Sequence, residues 1–284
     1  MKIKNDLTRM IGVKYPIIQG AFGVPGTGTS KIAIPVSEAG ALGILTTVCY
    51  KNPDEFQEDL RNAKRMTEKP FAVNFTLFKD GKYDNNYHKD YMKITLDEGI
   101  KIVFTSGYDG SLIGKFFKNA GCTWIHKCAT IRHALTISKK GADAVVIVGL
   151  EGTGFKSPEQ NTTLINMTAA RKLINVPLIA AGGIGDARGF VAALAMGASG
   201  IYMGTAFTAT REYQATEKSK MKIVDQDIRD AEYVKKVLKL GHGAVHSLSS
   251  GVINSIPSVN EYIEKIIREA EEVLIQFRDW GMLE

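Results

Sequence analysis

The sequence predicts an α/β fold, a (β/α)8 or TIM barrel with a small helical excursion after the eighth strand. Short apolar runs, typical of buried parallel strands, alternate with helical patterns along most of the chain. The last two predicted strands each end in glycine, at positions where barrels of this class often bind phosphate. A length of 284 residues with 44% hydrophobic content suits one barrel-sized domain.

The apolar runs give the strand positions, and the amphipathic stretches between them give the helices. The predicted strands are 16–19, 42–45, 71–75, 102–105, 123–127, 144–148, 177–181 and 200–203. The predicted helices are 30–39, 53–66, 87–98, 111–119, 131–140, 164–174 and 187–196. An open doubly wound sheet is the alternative, but it usually carries its glycine-rich loop on the first strand. We favour the closed barrel because the best phosphate turns come last.

The pattern changes after Thr210. Residues 211–239 are charged and helical in pattern, and residues 241–255 are rich in Gly and Ser. Ser258 and Glu261 then form a capping box that begins a helix with a single apolar stripe. We interpret this helix as the eighth barrel helix. The predicted domains are therefore a barrel of residues 1–210 and 255–284, and a helical excursion, 211–254, near the active-site mouth.

Two glycine turns end the last two strands, Gly182-Gly183 and Gly204-Thr205. Glycine lets a phosphate approach backbone N–H groups that no side chain shields. Tight turns alone would explain one such pair, but two pairs on adjacent strands favour a phosphate site.

Two further polar residues lie at predicted strand ends, where barrels place their function. Asn74 is an amide within an apolar strand, and Lys127 is a cation that is costly to bury without an anionic partner. On residue type alone, Asn74 is equally explained by a hydrogen bond to a neighbouring loop. Lys127 is equally explained by a side chain that extends to solvent.

Several other reactive residue types have an ordinary structural explanation. Glu151 would serve as a base or bind loop amides. His126 should face the helical layer because it precedes Lys127 in a strand. His242 and His246 are more typical of solvated loop histidines, and Cys128 of a buried, inert thiol.

Composition excludes several classes of partner. The net charge is +6, but Lys and Arg are scattered, so no nucleic-acid-binding arm is predicted. No apolar run would span a membrane, and the first residues lack a signal-peptide core.

The three cysteines form no CxxC pair and show no metal spacing with histidine, so no metal is predicted. An odd cysteine count favours reduced thiols and a cytoplasmic location. The predicted partner is a small-molecule substrate, and a homodimer is left open.

Seven stretches between residue 16 and about residue 224 carry a resemblance to a known family. They are residues 16–20 (PIIQG), 39–43 (AGALG), 73–77 (VNFTL), 126–134 (HKCATIRHA), 141–145 (GADAV), 180–184 (AAGGI) and 203–207 (MGTAF). The sequence resembles the nitronate monooxygenase family of FMN-bound barrels, once called 2-nitropropane dioxygenases. The similarity is greatest to the bacterial class that includes NAD(P)H:quinone reductases. Flavin-dependent enoyl-ACP reductases are more distant relatives.

The resemblance implies a set of cofactor-binding residues. Gln19 at the end of strand one, and the backbone at Ala21, Phe22 and Gly23 that follows it, would belong to the cofactor site and border the flavin ring. Asn74 and Lys127 would form hydrogen bonds with the flavin. The FMN phosphate would be bound by Gly182, Gly183, Gly204 and Thr205.

The sequence departs from the family at one position. After strand six the family usually has Glu, two small residues, Gly and a catalytic His, whereas this chain has Glu151-Gly152-Thr153-Gly154-Phe155. Phe155 therefore stands where the family places its base, and phenylalanine cannot take a proton from a nitroalkane carbon. Anionic nitronates need no such deprotonation. An aromatic ring at this position could also stack on a flat acceptor.

The first hypothesis is a flavin-dependent oxidoreductase that uses FMN, with NAD(P)H as a transient donor or a nitronate as the electron source. The acceptor would be oxygen or a flat molecule such as a quinone. An FMN-dependent enoyl-thioester reductase is the alternative within this class. A flavin-free phosphate-binding isomerase or lyase would share the glycine turns without needing Asn74 and Lys127 together. The remaining alternative is a protein that binds its ligand without catalysis. Its best support is Phe155, which cannot act as a base.

Overall fold

The computed structural model describes residues 3–78, 84–239 and 246–282. Eight parallel strands form one sheet, in the order β1-β8-β7-β6-β5-β4-β3-β2. The strands are β1 Ile17–Gln19, β2 Gly43–Thr46, β3 Phe71–Leu77, β4 Ile102–Gly107, β5 Thr123–Cys128, β6 Ala144–Val148, β7 Leu178–Ala181 and β8 Gly200–Met203. Because strands and helices alternate around a nearly closed sheet, the predicted (β/α)8 barrel is confirmed.

The barrel closes between β1 and β2 through very few backbone contacts. Ile18 and Leu42 form a single parallel bridge. The side chain of Gln19 adds to it, since its Nε2 donates to the Ile44 carbonyl and its Oε1 accepts from the Ile44 N–H, both at 3.1 Å. The Gln19 amide therefore adds two hydrogen bonds between β1 and β2. We call this place, where the barrel closes, its seam.

Twelve α-helices are described, most of them around the barrel. They are α1 Asp6–Ile11, α2 Ser30–Glu38, α3 Pro53–Met66, α4 Lys89–Asp97, α5 Ser111–Asn119, α6 Ile131–Lys139, α7 Thr163–Ala170, α8 Ala187–Ala195, α9 Thr205–Thr208, α10 Glu217–Val224, α11 Ala231–Leu238 and α12 Val259–Asp279. The helix α12 packs against α8 and α2, which is the place of an eighth barrel helix. None of the described helices is long and apolar enough to cross a bilayer.

Strand residues alternate between two apolar layers. Inside the barrel lie side chains such as Ile18, Ile44 and Ile125, whereas Trp124 and Cys128 face the helices. This alternation is the two-residue period of a strand. Because of this alternation, the Lys127 side chain points into the barrel, toward the carboxyl ends of the strands. The His126 side chain points outward, as the sequence predicts.

The structure adds detail that the sequence patterns miss. The helices α1 and α9 were not predicted, and they are only six and four residues long. The strand β3 continues two residues beyond its predicted end, to Leu77, and thereby includes Thr76. Within residues 211–239 the structure has two helices, α10 and α11, which begin after side-chain caps at Thr216 and Asp230.

Candidate active site

A cavity of about 440 Å³ lies at the carboxyl ends of the strands, where barrels place their function. Residues from the ends of β1 and β3 to β8, together with the segment before α12, line it. They are Gly20, Ala21, Phe22, Gly23, Val24, Thr76, Phe78, Ser106, Lys127, Val148, Gly152, Thr153, Gly154, Phe155, Ala181, Gly182, Gly183, Ile184, Tyr202, Met203, Gly204, Thr205, Thr208, Tyr213, His246, Ser247 and Ser249. Most of the predicted site residues are among them.

One end of the cavity, which we call the glycine end, is built by the turns after β7 and β8. Gly182 and Gly183 have φ values of +98° and +72°, in the left-handed region that favours glycine. A Cβ on Gly182 would also lie 2.9 Å from the Gly149 nitrogen. Gly204 has a negative φ, and a Cβ there would meet no atom within 4 Å. Backbone groups at this end are thus open to a ligand.

Hydroxyl groups surround the glycine end. The Thr205 Oγ1 accepts a hydrogen bond from the Ser247 N–H at 3.0 Å, and the hydroxyls of Ser247 and Ser249 are hydrogen-bonded to each other. A second hydrogen bond fixes this segment, because the Leu248 N–H donates to the Glu151 carbonyl at 2.9 Å. Sequence reasoning missed Ser247 and Ser249, although the Gly- and Ser-rich composition of residues 241–255 was a signal.

Lys127 projects into the cavity from β5. The barrel encloses most of its side chain, and burial lowers the pKa of the ammonium from 10.5 to about 8, with the nearby positive charge of Lys156 adding to the effect. Among the described residues, no carboxylate or other acceptor pairs with it. An enclosed cation without a partner is costly, so this position favours an anionic or electron-rich ligand.

Asn74 lies in the barrel interior but below the cavity lining. Its Nδ2 donates to the Thr76 Oγ1 at 2.8 Å, and its Oδ1 has no partner among the described residues. The Thr76 Oγ1 also accepts from the Ser106 hydroxyl at 3.3 Å. The Thr76 hydroxyl proton therefore has no acceptor among these residues and is available to a ligand. Thr76, two residues further along β3, lines the cavity and joins Asn74 as a candidate for ligand contact, and the predicted contact of Asn74 stays a prediction.

Two other predicted site residues use their side chains elsewhere. The Gln19 amide is occupied at the β1–β2 seam and is not part of the cavity lining. The Glu151 carboxylate accepts from the backbone N–H of Thr163, at the start of α7, at 3.0 Å and from its hydroxyl at 3.1 Å. The structure thus gives Glu151 the loop-binding role that we considered beside a base, and it gives Gln19 a role in closing the barrel.

The other end of the cavity, which we call the aromatic end, lies after β3, β4 and β6. The ring centroid of Phe155 is 5.2 Å from that of Phe78 and 5.8 Å from that of Tyr108. On the β1 side, Phe22 and Tyr213 meet edge to face at 4.8 Å. Phe155 does reach the cavity, so the position where the family has its base faces a ligand with an apolar ring.

Two more polar side chains line the cavity and were not predicted to bind cofactor. Tyr202 accepts a hydrogen bond from the Ala21 N–H through its hydroxyl oxygen, and burial raises the pKa of the phenol. His246 has a lowered pKa because of burial and the positive charge of Lys222. The related candidate His242 lies outside the described residues. No carboxylate lines the described part of the cavity, and its basic side chains are those of Lys127 and His246.

Comparison with known proteins agrees with this geometry. A family model described as nitronate monooxygenase matches residues 4–256, which is most of the chain. The chain belongs to the nitronate monooxygenase family. Since proteins of this family are flavin-dependent oxidoreductases, the chain is an oxidoreductase enzyme.

Individual relatives differ in their described activities. A (3aS,4S,5R,7aS)-5-hydroxy-7a-methyl-1-oxo-octahydro-1H-indene-4-carboxyl-CoA dehydrogenase from Rhodococcus jostii is 30% identical over 258 residues, which cover 89% of this chain and 68% of that protein. A probable nitronate monooxygenase from Staphylococcus aureus is 28% identical, with 95% and 88% covered. The structure of FabK from Thermotoga maritima has a TM-score of 0.84 and 27% identity, and the match covers 98% of this chain and 99% of that one.

Proposed function

We propose that this chain is an FMN-dependent oxidoreductase of the nitronate monooxygenase type. The proposal rests on one observation above the others. A single cavity combines backbone and hydroxyl groups at its glycine end with the ammonium of Lys127, which has no acceptor among the residues that the structure describes. This is the polarity that a ligand with a terminal phosphate and an electron-rich ring edge requires.

The residues fit FMN on grounds of their own chemistry. The backbone at Gly182, Gly183 and Gly204 and the hydroxyls of Thr205 and Ser247 would bind the phosphate. Lys127 and Thr76 would bind the polar edge of the ring system. When bound, FMN accepts electrons from a donor and passes them to an acceptor.

Phe155 limits which electron donors the cavity can use. It has no proton acceptor, and the neighbouring Glu151 carboxylate is engaged by Thr163. The electron source is therefore a preformed nitronate, which carries no proton to remove, or NAD(P)H. The aromatic end offers an apolar surface on which a flat acceptor such as a quinone would stack. Oxygen is the alternative acceptor.

The second candidate is an enoyl-thioester reductase. The FabK structure, with a TM-score of 0.84 over nearly the whole of both chains, favours it as a specific alternative. In that case the aromatic end would contact an acyl chain rather than a flat ring. A flavin-free isomerase or lyase would have the glycine end but would leave Lys127 without its electron-rich partner.

An absorption spectrum of the purified protein tests the proposal first, because flavin bands separate it from the flavin-free alternative. Heat-released cofactor should then co-elute with FMN rather than FAD. Rapid mixing with NADH, NADPH or a nitronate identifies the donor by the loss of those bands. Reoxidation by a quinone, by oxygen or by an enoyl thioester identifies the acceptor. A protein without flavin that binds none on addition would contradict the proposal.

A further inference from the structure

A second cluster of reactive side chains lies outside the cavity, between β5 and α6. His126, Cys128 and His133 each offer one ligand atom, and these atoms lie within 4.8 Å of one another. Their sequence spacing did not predict a metal site, because the third member comes from a different element. The chain turns at Thr130, whose side chain accepts from the His133 N–H at 3.1 Å. This cap places His133 in the first turn of α6, over the outer face of β5.

The alternation of β5 explains why two of these residues face the same way. His126 and Cys128 are two positions apart, so both point toward the helices, whereas Lys127 between them points into the cavity. The rings of His126 and His133 meet with their centroids 4.9 Å apart. The cluster is thus separate from the proposed flavin site, with the strand itself between them.

His126 supplies the observation that points to a ligand. It is fully buried, and its Nε2 has no hydrogen-bond partner among the described residues. Its Nδ1 lies 2.6 Å from the Thr105 Oγ1, which accepts from the Trp124 Nε1–H at 2.7 Å. In the tautomer that carries its proton on Nδ1, this nitrogen donates to Thr105 and the Nε2 lone pair is free to bind a metal. A buried nitrogen without a partner costs free energy. A hydrogen bond from the other ring nitrogen to a fixed acceptor is the usual support for a metal-binding histidine.

We propose that His126, Cys128 and His133 form a binding site for Zn²⁺. Two imidazole nitrogens and one thiolate are ligands that zinc prefers, and water would complete a tetrahedral set. Three atoms within 4.8 Å of one another can all lie within about 2.8 Å of a common point, so shifts of under about 1 Å would reach zinc–ligand distances. On binding, Cys128 loses its thiol proton to solvent. The bound ion would link β5, the strand that carries Lys127, to the first turn of α6.

The first test is metal binding to the full-length protein. After dialysis against a chelator, the protein should bind one equivalent of Zn²⁺ in competition with a chromophoric chelator. Binding to the native state should raise the thermal unfolding temperature, and Mg²⁺ should not, because it prefers oxygen ligands. Co²⁺ in place of Zn²⁺ should give a thiolate-to-cobalt charge-transfer band.

Three variants decide whether this cluster is the site. Cys128→Ser should abolish the charge-transfer band, and His133→Gln should weaken Zn²⁺ binding at least about 10-fold. His133 is half-buried in the first turn of a helix, so its replacement tests the site even if a change at Cys128 prevents folding. Cys122→Ser is the matched control, since Cys122 is also a buried free thiol but lies outside the cluster. It should bind as the wild type does. A wild type that binds no Zn²⁺, or equal binding by the wild type and His133→Gln, would overturn the proposal.

Discussion

The glycine end and the aromatic end of the cavity are built in different ways. At the glycine end, Gly182, Gly183 and Gly204 and nearby hydroxyl groups line the cavity, and a Cβ on Gly204 would meet no atom within 4 Å. At the aromatic end, the rings of Phe78 and Phe155 form the wall, and Tyr108 packs against Phe155. The glycine end depends on main-chain geometry and the aromatic end on side-chain identity.

This difference bears on how readily each end can be changed by substitution. A turn that requires glycine permits few substitutions, because a Cβ would clash or strain the backbone, as at Gly182. A ring at the cavity wall can be replaced with little effect on the fold. We therefore expect the glycine end to decide cofactor binding. We expect the aromatic end, where Phe155 stands at the position that the resemblance gives to a histidine, to decide the choice of substrate.

The largest effect is expected from a change at the aromatic end. Phe155→His supplies the proton acceptor that the wild-type cavity lacks at this position, and a general base typically contributes about 10²–10⁴-fold. Flavin reduction by a neutral nitroalkane should rise by that order, while reduction by the corresponding nitronate should change little. Rapid mixing with each form of the substrate measures both rates. Fast turnover of the neutral form by the wild type would show that another residue, with His246 the next to examine, is the base.

At the glycine end, the strongest test is a matched pair at Gly204. Its φ is negative, and a Cβ there has open space, so the fold should tolerate both variants. Gly204→Asp places a carboxylate where the phosphate would bind, whereas Gly204→Asn adds a neutral side chain of nearly the same shape. Like charges in contact cost several kcal/mol, so the Asp variant should bind FMN at least about 100-fold more weakly than the Asn variant. Equal affinities by fluorescence titration would place the phosphate elsewhere.

Lys127 projects into the cavity from β5 and should tune the bound cofactor. A charged hydrogen bond in such a site contributes about 1–3 kcal/mol, and it favours the reduced flavin, on which negative charge develops. Lys127→Met should therefore lower the reduction potential and slow reduction by the donor, whereas Lys127→Arg keeps the charge. Potentials are measured against a reference dye. An unchanged potential in a Met variant that still binds FMN would refute this role.

A smaller effect is expected in the pH dependence of the free energy of unfolding, measured on the cofactor-free protein. Burial lowers the pKa of Lys127 from 10.5 to about 8, so between these values the unfolded chain binds more protons than the folded one. The free energy of unfolding gains a contribution that rises with pH through this window. In Lys127→Met this contribution is absent. Urea unfolding of both proteins across the window from about 8 to 10.5 compares the two slopes. Identical slopes would mean that the lysine is not enclosed.

The fold and the glycine end could be predicted from sequence because their signals are local. Apolar runs such as 144–148 are typical of buried strands, and glycines mark the turns that follow β7 and β8. The eighth barrel helix was recognisable from its capping box, which the structure shows at Ser258 and Glu261. These features depend on residues that are neighbours in the chain.

Other parts of the site depend on contacts that no local pattern contains. Strand β3 continues to Leu77, so Thr76 lines the cavity while Asn74 lies below it, and residue type alone did not distinguish them. The roles of Gln19 at the barrel seam and of Glu151 at the start of α7 arise from partners 25 and 12 residues away. Ser247 was missed because it reaches the cavity from a segment 42 residues beyond Thr205, with which it forms a hydrogen bond.

The central claim is that the glycine end binds the terminal phosphate of FMN. The most direct test is to titrate the cofactor-free wild-type protein with FMN, riboflavin and FAD and to compare the three dissociation constants. FMN should bind at least about 100-fold more tightly than riboflavin, because charged hydrogen bonds to the phosphate are worth several kcal/mol together. FAD should bind more weakly than FMN, since its phosphates are not terminal. Equal affinity for FMN and riboflavin would contradict the account.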